Sequence, residues 1–398
     1  MKRPLAGVRI LAVELYGAGP YGTQLLAELG AEVVKIEAPS MGGDVSRSVG
    51  PYFLGEGDTA FFQTFSRSKS SLALELKTPE GRAIFEKLVA GADAVVNNLR
   101  GDKPGKLGLT YEDLKALKPS IVCAHLSAYG RNNSRANWPG YDYLMQAESG
   151  MMSLTGEPDA PPTRLGLSMV DFMTGSVFAL GIVSAVLSAR STGEGCDVDV
   201  SLFDVALHQT SYPAVWAMNE GYEPERLPRG AHPSIAPSQL VRTADGWGLL
   251  MCQTPKFWSL FCALTGRSDL ADDPRFADIS TRRAHLAELT QALDALFMTR
   301  KAQDWSDLFA GQVPFAPVKD LKSALDNPFV AEVGMRDIVA HPAKPDGLHM
   351  LASPIMINGH RMAGYRAPTL GEQTEAILSA LFDDDENKIP PQSPELRR

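Results

Sequence analysis

The sequence has 398 residues, a length that suggests two or three domains, or one large domain with a smaller one. Hydrophobic residues make up 44% of it and charged residues 21%, which is ordinary globular usage and excludes a wholly disordered or fibrous chain. The formal net charge is −9, so nonspecific attraction to nucleic acid or anionic lipid is disfavoured. An anionic ligand would need local positive groups.

The four cysteines lack the spacing of a disulfide framework or a zinc site, and reduced thiols in the cytoplasm fit them best. Pro4 and Gly7 interrupt the N-terminal apolar segment, so it does not match the core of an export signal. The uncharged stretch Phe172–Ala189 reaches the lower length limit for a membrane span, but its small residues favour a helix buried by close packing. We therefore expect a cytoplasmic protein with no metal and no membrane span.

Up to about residue 127, short β-branched segments alternate with helical patterns, which is typical of a parallel α/β sheet. Strands are predicted at Val8–Val13, Ala31–Ile36, Ala94–Val96 and Ile121–Leu126, and helices at Pro20–Leu29, Thr78–Val89 and Thr110–Leu117. Thr78 and Thr110 are expected to cap the last two helices. The fold class predicted for this part is α/β, a doubly wound large domain.

The remaining chain reads as further helices, a linker and a smaller domain. Helices are predicted over Tyr141–Leu154, Phe172–Arg190, 202–218, Phe257–Leu264 and Arg283–Met298, with a strand at Asp197–Val200 and a hairpin about Asp245-Gly246. Prolines mark 221–237 as a linker. The predicted organisation is a large domain in 1–220 and 332–382, a small α+β domain in 221–331, and a disordered tail in 383–398.

The segment Gly17-Ala18-Gly19-Pro20-Tyr21-Gly22 matches the GxGxxG pattern between a predicted strand and a predicted helix. With Glu37 as a possible ribose acceptor, this pattern suggests a nicotinamide oxidoreductase. Pro20, however, removes one of the amides that would face a diphosphate. A turn that lets backbones pack closely is the favoured interpretation, and dinucleotide binding remains open.

A basic stretch lies in the loop after the third predicted strand. It contains Arg100, Lys103 and Lys106 around Asp102, with Lys69, Lys77 and Arg82 upstream. Ligands of doubly wound sheets bind beyond the carboxyl ends of the strands, so these cations could gather phosphates. Solvated surface charge explains them equally well.

Asp171 stands immediately before the uncharged predicted helix. The positive end of a helix dipole favours an ionised carboxylate, and from position alone a capping role explains this residue best. The sequence contains no GxSxG, GxxxxGK[ST] or HExxH pattern, which disfavours serine hydrolases, P-loop NTPases and zinc peptidases.

Several phrases occur in order and together resemble the class III CoA-transferases, the CaiB/BaiF family that contains formyl-CoA transferase and carnitine CoA-transferase. They are LAGVRILAVE, GPYGTQLLAELGAEVVKIE, GGDVSR, KSSLALELKTPEG, LGLTYEDLKALKP, VDFMTG and STGEGCDVDVSLFDVAL. The resemblance runs from about Leu5 to Met218. Asp245-Gly246 and the APTLGE segment from Ala367 to Glu372 extend it.

The resemblance implies an acyl-CoA:carboxylate CoA-transferase with a Rossmann-like fold. Asp171, in the D-x-x-T/S-G setting with Thr174 and Gly175, would attack an acyl-CoA thioester to give an acyl-aspartyl anhydride and then an aspartyl-CoA thioester. A carboxylic acid would then receive the CoA. The same resemblance implies an interlocked homodimer that uses coenzyme A as a substrate and has no prosthetic group.

The resemblance also implies contacts with CoA at the ends of the strands. They would come from Tyr16, Gly17, Ala18, Leu74, Glu75, Leu76, Lys77, Asn98, Leu99 and Lys106. This chain has Ala38 where formyl-CoA transferase has an arginine, which puts formyl-CoA or oxalate specificity in doubt. Arg47, Tyr141 and Asp142 are pocket candidates by position, and Arg47 could pair with the second carboxylate of a dicarboxylic acid.

Three alternatives remain beside the transferase. The α-methylacyl-CoA racemases share this fold and use the histidine of a G-H-D phrase, but the phrase here is Gly140-Tyr141-Asp142. Tyrosine, with an ordinary pKa near 10, is a poor base near neutrality. A nicotinamide oxidoreductase and a noncatalytic CoA-binding protein are the other two. The sequence does not identify the donor and acceptor acids.

Overall fold

The computed structural model describes residues 3–382, which form two compact units. The first unit comprises residues 3–150, 165–211 and 329–382. The second comprises residues 151–164 and 212–328. The predicted tail, 383–398, lies outside the described residues.

Up to residue 208, strands and helices alternate much as predicted. The strands are β1 (Arg9–Val13), β2 (Glu32–Glu37), β3 (Phe53–Gly55), β4 (Asp58–Thr59), β5 (Ser70–Ala73), β6 (Ala94–Asn97), β7 (Val122–Ser127) and β8 (Cys196–Ser201). The helices are α1 (Ala18–Glu28), α2 (Ala60–Ser66), α3 (Pro79–Ala90), α4 (Tyr111–Leu114), α5 (Asp142–Glu148), α6 (Met169–Thr192) and α7 (Leu202–His208).

Six of these strands form one sheet in the order β5-β2-β1-β6-β7-β8, and every neighbouring pair is parallel. This confirms the mixed α/β class with a parallel sheet. The central strands β1 and β6 are largely apolar because both of their faces are covered, and all four residues of β6 are buried. The segments that follow β1, β5 and β6 leave the sheet at its carboxyl edge, where ligands of such sheets bind.

Side-chain caps define the helices that the sequence predicted best. The hydroxyl of Thr78 accepts the Gly81 N–H at the start of α3, and Thr110 forms a reciprocal capping box with Asp113 at α4. Both predicted caps are confirmed. The long helix α6 begins at Met169, three residues before the predicted start. Its first turn therefore includes Asp171.

Helix α6 combines a buried face with an exposed apolar face. It is the one helix in residues 3–382 that is long and apolar enough to cross a membrane by length and composition, and 44% of its apolar window is buried. Val170, Phe178 and Ile182 lie in the interior, whereas Leu180 and Leu187 are exposed. The predicted close packing therefore explains the apolar residues on the buried side of α6, but not those on its exposed side.

The second unit contains the elements from α8 to α14. They are α8 (Ser211–Glu220), β9 (Ser238–Thr243), β10 (Gly246–Met251), α9 (Pro255–Thr265), α10 (Ser268–Ala271), α11 (Ile279–Ala284), α12 (Leu286–Phe297), α13 (Ala302–Phe309), β11 (Phe315–Pro317) and α14 (Leu321–Leu325). The predicted hairpin is present as β9 and β10, and β11 pairs with β10 to complete an antiparallel sheet. The core is apolar and rich in aromatic rings.

The main segment of the second unit begins at residue 212, whereas the sequence suggested 221. Residues 151–164, which the sequence placed in the large domain, also belong to the second unit. The single helix predicted over 202–218 is interrupted at Ser211, whose φ is +53°. Aromatic rings of α8 pack within the second unit. The ring centroids of Tyr212 and His232 are 5.8 Å apart, and those of Trp216 and Tyr222 are 5.5 Å apart. These contacts assign α8 to the second unit.

The chain returns to the first unit through α15 (Pro328–Glu332), β12 (Arg336–His341), β13 (Lys344–Leu351), β14 (Met356–Ile357), β15 (His360–Arg361) and α16 (Thr374–Phe382). The Ser71 N–H donates to the side chain of Gln373, and the Ala73 N–H donates to Thr374. Ile377 of α16 enters the core beside β5 and α3. The return segment therefore covers the outer edge of the parallel sheet.

Candidate active site

Asp171 lies in the first turn of α6, and its carboxylate lies against the loop between β1 and α1 (residues 14–17, the β1–α1 loop). A Cβ atom at residue 17 would lie only 3.0 Å from Asp171 Oδ2, so Gly17 leaves room for the carboxylate. Ser168 occupies the N-cap position and makes no side-chain cap bond. The predicted capping role of Asp171 is therefore wrong, and its carboxylate is directed to the carboxyl edge of the sheet.

Glycines bring α6 and α1 into contact. A Cβ atom at Gly22 would lie 2.5 Å from the Gly175 carbonyl oxygen, and a Cβ atom at Gly175 would lie 2.6 Å from the Ala18 carbonyl oxygen. The two backbones therefore touch without side chains between them. This is the close-packing interpretation of the glycine-rich turn, and it places the start of α1 beside Asp171.

Asp142 is the charged neighbour of Asp171. Its buried carboxylate accepts the Asp171 N–H through Oδ2 at 2.9 Å and the Gln146 side-chain amide through Oδ1 at 2.6 Å. Burial and the negative charge of Asp142 raise the pKa of Asp171 to about 7. The sequence argument from the helix dipole expected ionisation to be favoured; burial and the second carboxylate outweigh that effect.

Asn98 holds the β1–α1 loop in place through two hydrogen bonds to its backbone. Its side chain accepts the Leu15 N–H at 2.8 Å and donates to the Leu15 carbonyl oxygen at 2.6 Å. The amide group of this predicted CoA contact is thus engaged within the protein. A Cβ atom at Gly19 would lie 2.7 Å from Asn98 Cβ, so glycine is required where the helix passes over this side chain.

A buried charge cluster, consisting of Glu14, Lys35, Asp44 and Lys69, adjoins the β1–α1 loop, which itself contributes Glu14. Lys69 donates to Glu14 Oε1 at 2.6 Å, to the Pro20 carbonyl oxygen and to Thr23. Lys69 is therefore not available to phosphates, contrary to one of the sequence interpretations. The sequence signal for the cluster was a lysine inside an otherwise apolar strand, since Lys35 lies in the middle of β2.

Arg47, a predicted pocket residue, lines a cavity beside Leu15 and Asp44, but its guanidinium is engaged within the protein. Its guanidinium binds Glu37 through two hydrogen bonds of 2.8 and 2.7 Å, donates to the Pro368 carbonyl oxygen, and lies over the Phe62 ring. Despite its burial, Glu37 has a lowered pKa because of these bonds and the nearby positive charges. The guanidinium is thus already paired with an acid of the protein, and its pairing with a second substrate carboxylate stays a prediction.

Glu37 is equally unsuited to bind a ribose. In addition to Arg47, it accepts hydrogen bonds from the Ser71 hydroxyl and the Asp44 N–H, and it is buried. The GxGxxG pattern of this chain thus lacks the free acidic acceptor that a dinucleotide site uses.

The other predicted CoA contacts lie after β5 and β6, at the same edge of the sheet as the β1–α1 loop. Leu74 is buried, and Leu76 and Leu99 pack partly against the same core. Glu75 accepts a hydrogen bond from the Ser40 hydroxyl, and Lys77 is exposed. The structure therefore brings these segments together, with the leucine side chains turned toward the core.

The basic loop after β6 keeps exposed cations, although an acid partly neutralises them. Lys106 Nζ lies 2.8 Å from Asp102, and Arg100 lies 3.4 Å from the same residue. The hydrogen bond from Lys106 lowers the pKa of Asp102. Arg82 is directed elsewhere and donates to the carbonyl oxygens of Leu107 and Gly108.

Tyr141 is exposed and occupies the N-cap position of α5, immediately before Asp142. Thr174, one turn after Asp171, is buried, and its hydroxyl has no hydrogen-bond partner in the part of the chain that the structure describes. Across residues 3–382, no group of three or more His, Cys, Asp or Glu side chains could hold a metal ion.

Comparisons with known proteins identify the family of this chain. A model of CoA-transferase family III matches residues 5–374. A succinate–glutarate CoA-transferase of Agrobacterium fabrum is 34% identical, with 96% of this chain and 96% of that protein covered. An acetyl-CoA:oxalate CoA-transferase of Acetobacter aceti is 34% identical, with 94% and 95% covered. A crystal structure of a CAIB/BAIF family protein from Brucella suis has a TM-score of 0.82 at 33% identity, covering 96% of this chain and 100% of that one.

The six-stranded parallel sheet and these relatives define an enzyme that transfers CoA. The chain belongs to CoA-transferase family III. The resemblance carried by the sequence phrases is thereby confirmed, and CoA thioesters are the substrates of this class.

Proposed function

We propose that this CoA-transferase works covalently, with Asp171 as the nucleophile that carries first the acyl group and then CoA. The observation that carries this proposal is the contact between Asp171 Oδ2 and Gly17 at the carboxyl edge of the sheet. Ligands of α/β sheets bind beyond that edge, so the carboxylate is placed where an acyl-CoA thioester would arrive.

The reaction would proceed in two matched halves. The Asp171 carboxylate attacks the thioester carbonyl carbon, the C–S bond breaks, and an acyl-aspartyl anhydride and CoA thiolate result. The thiolate then attacks the aspartyl carbonyl carbon, giving an aspartyl-CoA thioester and the free donor acid. An acceptor carboxylate repeats both steps in reverse and leaves with CoA, so Asp171 is regenerated and no net proton is transferred.

The raised pKa of Asp171 fits this role. At a pKa of about 7, about half of the residue is ionised at neutral pH, and the ionised form is the nucleophile. The burial that raises the pKa also removes water that would otherwise solvate the carboxylate or hydrolyse the intermediates. A pocket that holds the two reacting groups in place can supply up to roughly 7–11 kcal/mol toward the reaction.

CoA would lie along the edge formed by the segments after β1, β5 and β6. Tyr16, Gly17 and Ala18 would contact the pantetheine arm beside Asp171. Because the side chains of Leu74, Leu76 and Leu99 are turned to the core, those positions would contact CoA through their backbone. Arg100, Lys103 and Lys106 would meet the phosphates, which an acidic protein must hold by local cations.

The acceptor would be a small carboxylic acid. The relatives named above act, by their names, on succinate, glutarate and oxalate. In this chain Arg47 is paired with Glu37, so a second carboxylate would have to compete with Glu37 for it or be held by other groups. Tyr141, exposed beside Asp142, would lie at the entrance to the site.

We also propose a doubly wound, Rossmann-like fold, an interlocked homodimer and a cytoplasmic location. The order of the parallel strands, with the crossover between β1 and β6, supports the first proposal. The exposed Leu180 and Leu187 of α6 support a second copy of this chain as the occupant of that face. Free thiols at all four cysteines support a reducing compartment.

The alternatives are weaker on specific grounds. A racemase would need a base at position 141, which holds an exposed tyrosine. A nicotinamide enzyme would need a free acid at Glu37, which is engaged by Arg47. A noncatalytic CoA-binding protein has no need of a carboxylate whose pKa is raised beside the glycine turn.

Hydroxylamine trapping tests the covalent mechanism. The protein is incubated with acetyl-, succinyl-, glutaryl- or oxalyl-CoA in hydroxylamine, and the peptide that contains Asp171 is examined by mass spectrometry. We expect a hydroxamate at Asp171 with at least one donor and none in Asp171→Asn. A protein that transfers CoA while Asp171 remains unmodified under trapping would contradict the mechanism.

A further inference from the structure

The residue before Gly17 has an unusual backbone conformation. Tyr16 has a φ of +70°, in the left-handed region that a bulky side chain rarely adopts. Such conformations persist where the surrounding structure imposes them, and they concentrate at functional sites. The exposed ring packs on Phe61 in a tilted arrangement, with the ring centroids 5.0 Å apart, a contact that does not by itself fix the backbone.

The group that fixes this backbone is a buried carboxylate. The Tyr16 N–H donates to Asp44 Oδ1 at 3.0 Å and is 3.3 Å from Oδ2. The Ser46 N–H donates to the same Oδ1 at 2.9 Å. Asp44 comes from the segment after β2, so this contact joins two segments that leave neighbouring strands.

Lys35 allows Asp44 to be charged while buried. Its Nζ lies 2.7 Å from Asp44 Oδ2 and donates to the Glu14 carbonyl oxygen at 2.9 Å. Although burial opposes ionisation, the charge and hydrogen bond of Lys35 lower the pKa of Asp44 to about 2. A buried ion pair is a weak source of stability, so its retention beside a functional loop calls for another reason.

The turn at Tyr16 sets the position of Gly17. The bend at residue 16 brings Gly17 next to Asp171 Oδ2, and α1 begins at residue 18. An extended Tyr16 would move the following residue away from the carboxylate. The Asp44 contact is therefore coupled, through one residue, to the geometry of the proposed nucleophile.

We propose that Asp44 is a positioning residue: its charged carboxylate holds Tyr16 in the left-handed conformation and so keeps the β1–α1 loop against Asp171. The inference rests on the proposed function, since it assumes that the reacting thioester binds beside this loop. Asp44 itself does not touch the reacting atoms. Lys35 supports it by compensating the buried charge.

A rescue experiment separates this role from a general structural one. In an Asp44→Asn background, Tyr16 is replaced either by glycine or by alanine, and kcat for CoA transfer is measured. Both replacements remove the ring, but glycine adopts positive φ without the penalty that alanine pays. We expect Asp44→Asn to lower kcat, and Tyr16→Gly to restore about 5- to 30-fold relative to Tyr16→Ala.

Equal kcat values for the two double variants would overturn the proposal. If Asp44→Asn alone does not fold, the proposal still requires the glycine double variant to fold and turn over better than the alanine one. Failure of both double variants to fold would also overturn it. Wild-type protein that transfers CoA without a hydroxamate at Asp171 would instead contradict the proposed covalent mechanism, independently of the rescue.

Discussion

The core of the second unit and the carboxyl edge of the first differ in what they bury. The second unit fills its core with packed aromatic rings, such as Phe261, Phe297 and Trp305, and its buried Arg282 donates to backbone carbonyl oxygens. The first unit buries the charge cluster of Glu14, Lys35, Asp44 and Lys69 at the β1–α1 loop. Apolar burial stabilises a fold, whereas buried ion pairs contribute little net stability. The contrast indicates that the buried charges at the β1–α1 loop contribute to the proposed chemistry more than to stability.

The largest effect is expected at the nucleophile. Replacing Asp171 by asparagine removes the attacking oxygen with little change in shape, so kcat for CoA transfer should fall by a factor on the order of 10⁴–10⁶. Steady-state kinetics with several donors would measure this. A loss of less than about tenfold would exclude Asp171 as the nucleophile.

Asp171→Asn should also be more stable than the wild type at high pH. The folded-state pKa of Asp171, about 7, lies above its ordinary value of 3.8, so ionisation lowers stability progressively as pH rises through that interval. Asp171→Asn should therefore melt at a higher temperature than the wild type at pH 8, and the difference should shrink by pH 5. Equal melting temperatures at pH 8 would show that the carboxylate is not destabilising.

Phe297 tests the other side of the comparison. It is fully buried among rings of the second unit, so Phe297→Ala should lower the free energy of unfolding by about 3–5 kcal/mol. Chemical denaturation would measure this loss. The matched control is Met298→Ala, because Met298 is the exposed neighbour and should change stability by less than about 0.5 kcal/mol.

Gly17 tests the fit at the carboxyl edge. Its φ of −114° lies outside the positive region that favours glycine, but the new Cβ of Gly17→Ala would lie 3.0 Å from Asp171 Oδ2. We expect kcat to fall by roughly tenfold because misplacing a reacting group is costly. Gly166→Ala, whose Cβ would meet nothing within 4 Å, is the control. Equal rates for both variants would argue against the close fit.

The smallest effect is a shift in pH dependence. Removing the negative charge of Asp142 in Asp142→Asn should lower the pKa of Asp171, since that charge adds to burial in raising it. Activity requires ionised Asp171, so the acidic limb of the kcat profile should move to lower pH. An unchanged limb would mean that another group controls the profile.

Local patterns predicted the sheet and the helix caps well, because both depend on neighbouring residues. Thr78 and Thr110 cap as expected, and β1, β2, β6 and β7 lie close to their predicted places. The strand β5 was not predicted, since Ser70 and Ser71 carry no apolar signal; its pairing with β2 and contacts from the return segment create it.

The candidate site was predicted only in part. Asp171 could be singled out because a family phrase surrounds it. The pairing of Arg47 with Glu37 was not foreseen, because it is set by tertiary contact and not by spacing. The link between Asp44 and Tyr16 also joins segments from different strands, so no local pattern contains it.

The central claim is that Asp171 becomes covalently bonded to the acyl group, and isotope transfer tests it directly. The enzyme is incubated with an acyl-CoA donor and an acceptor acid whose carboxylate carries heavy oxygen, and the peptide containing Asp171 is analysed by mass spectrometry. The mechanism predicts heavy oxygen in the Asp171 carboxylate, because the acceptor leaves one oxygen there when CoA departs. Transfer of CoA to the labelled acid with no label at Asp171 would contradict it.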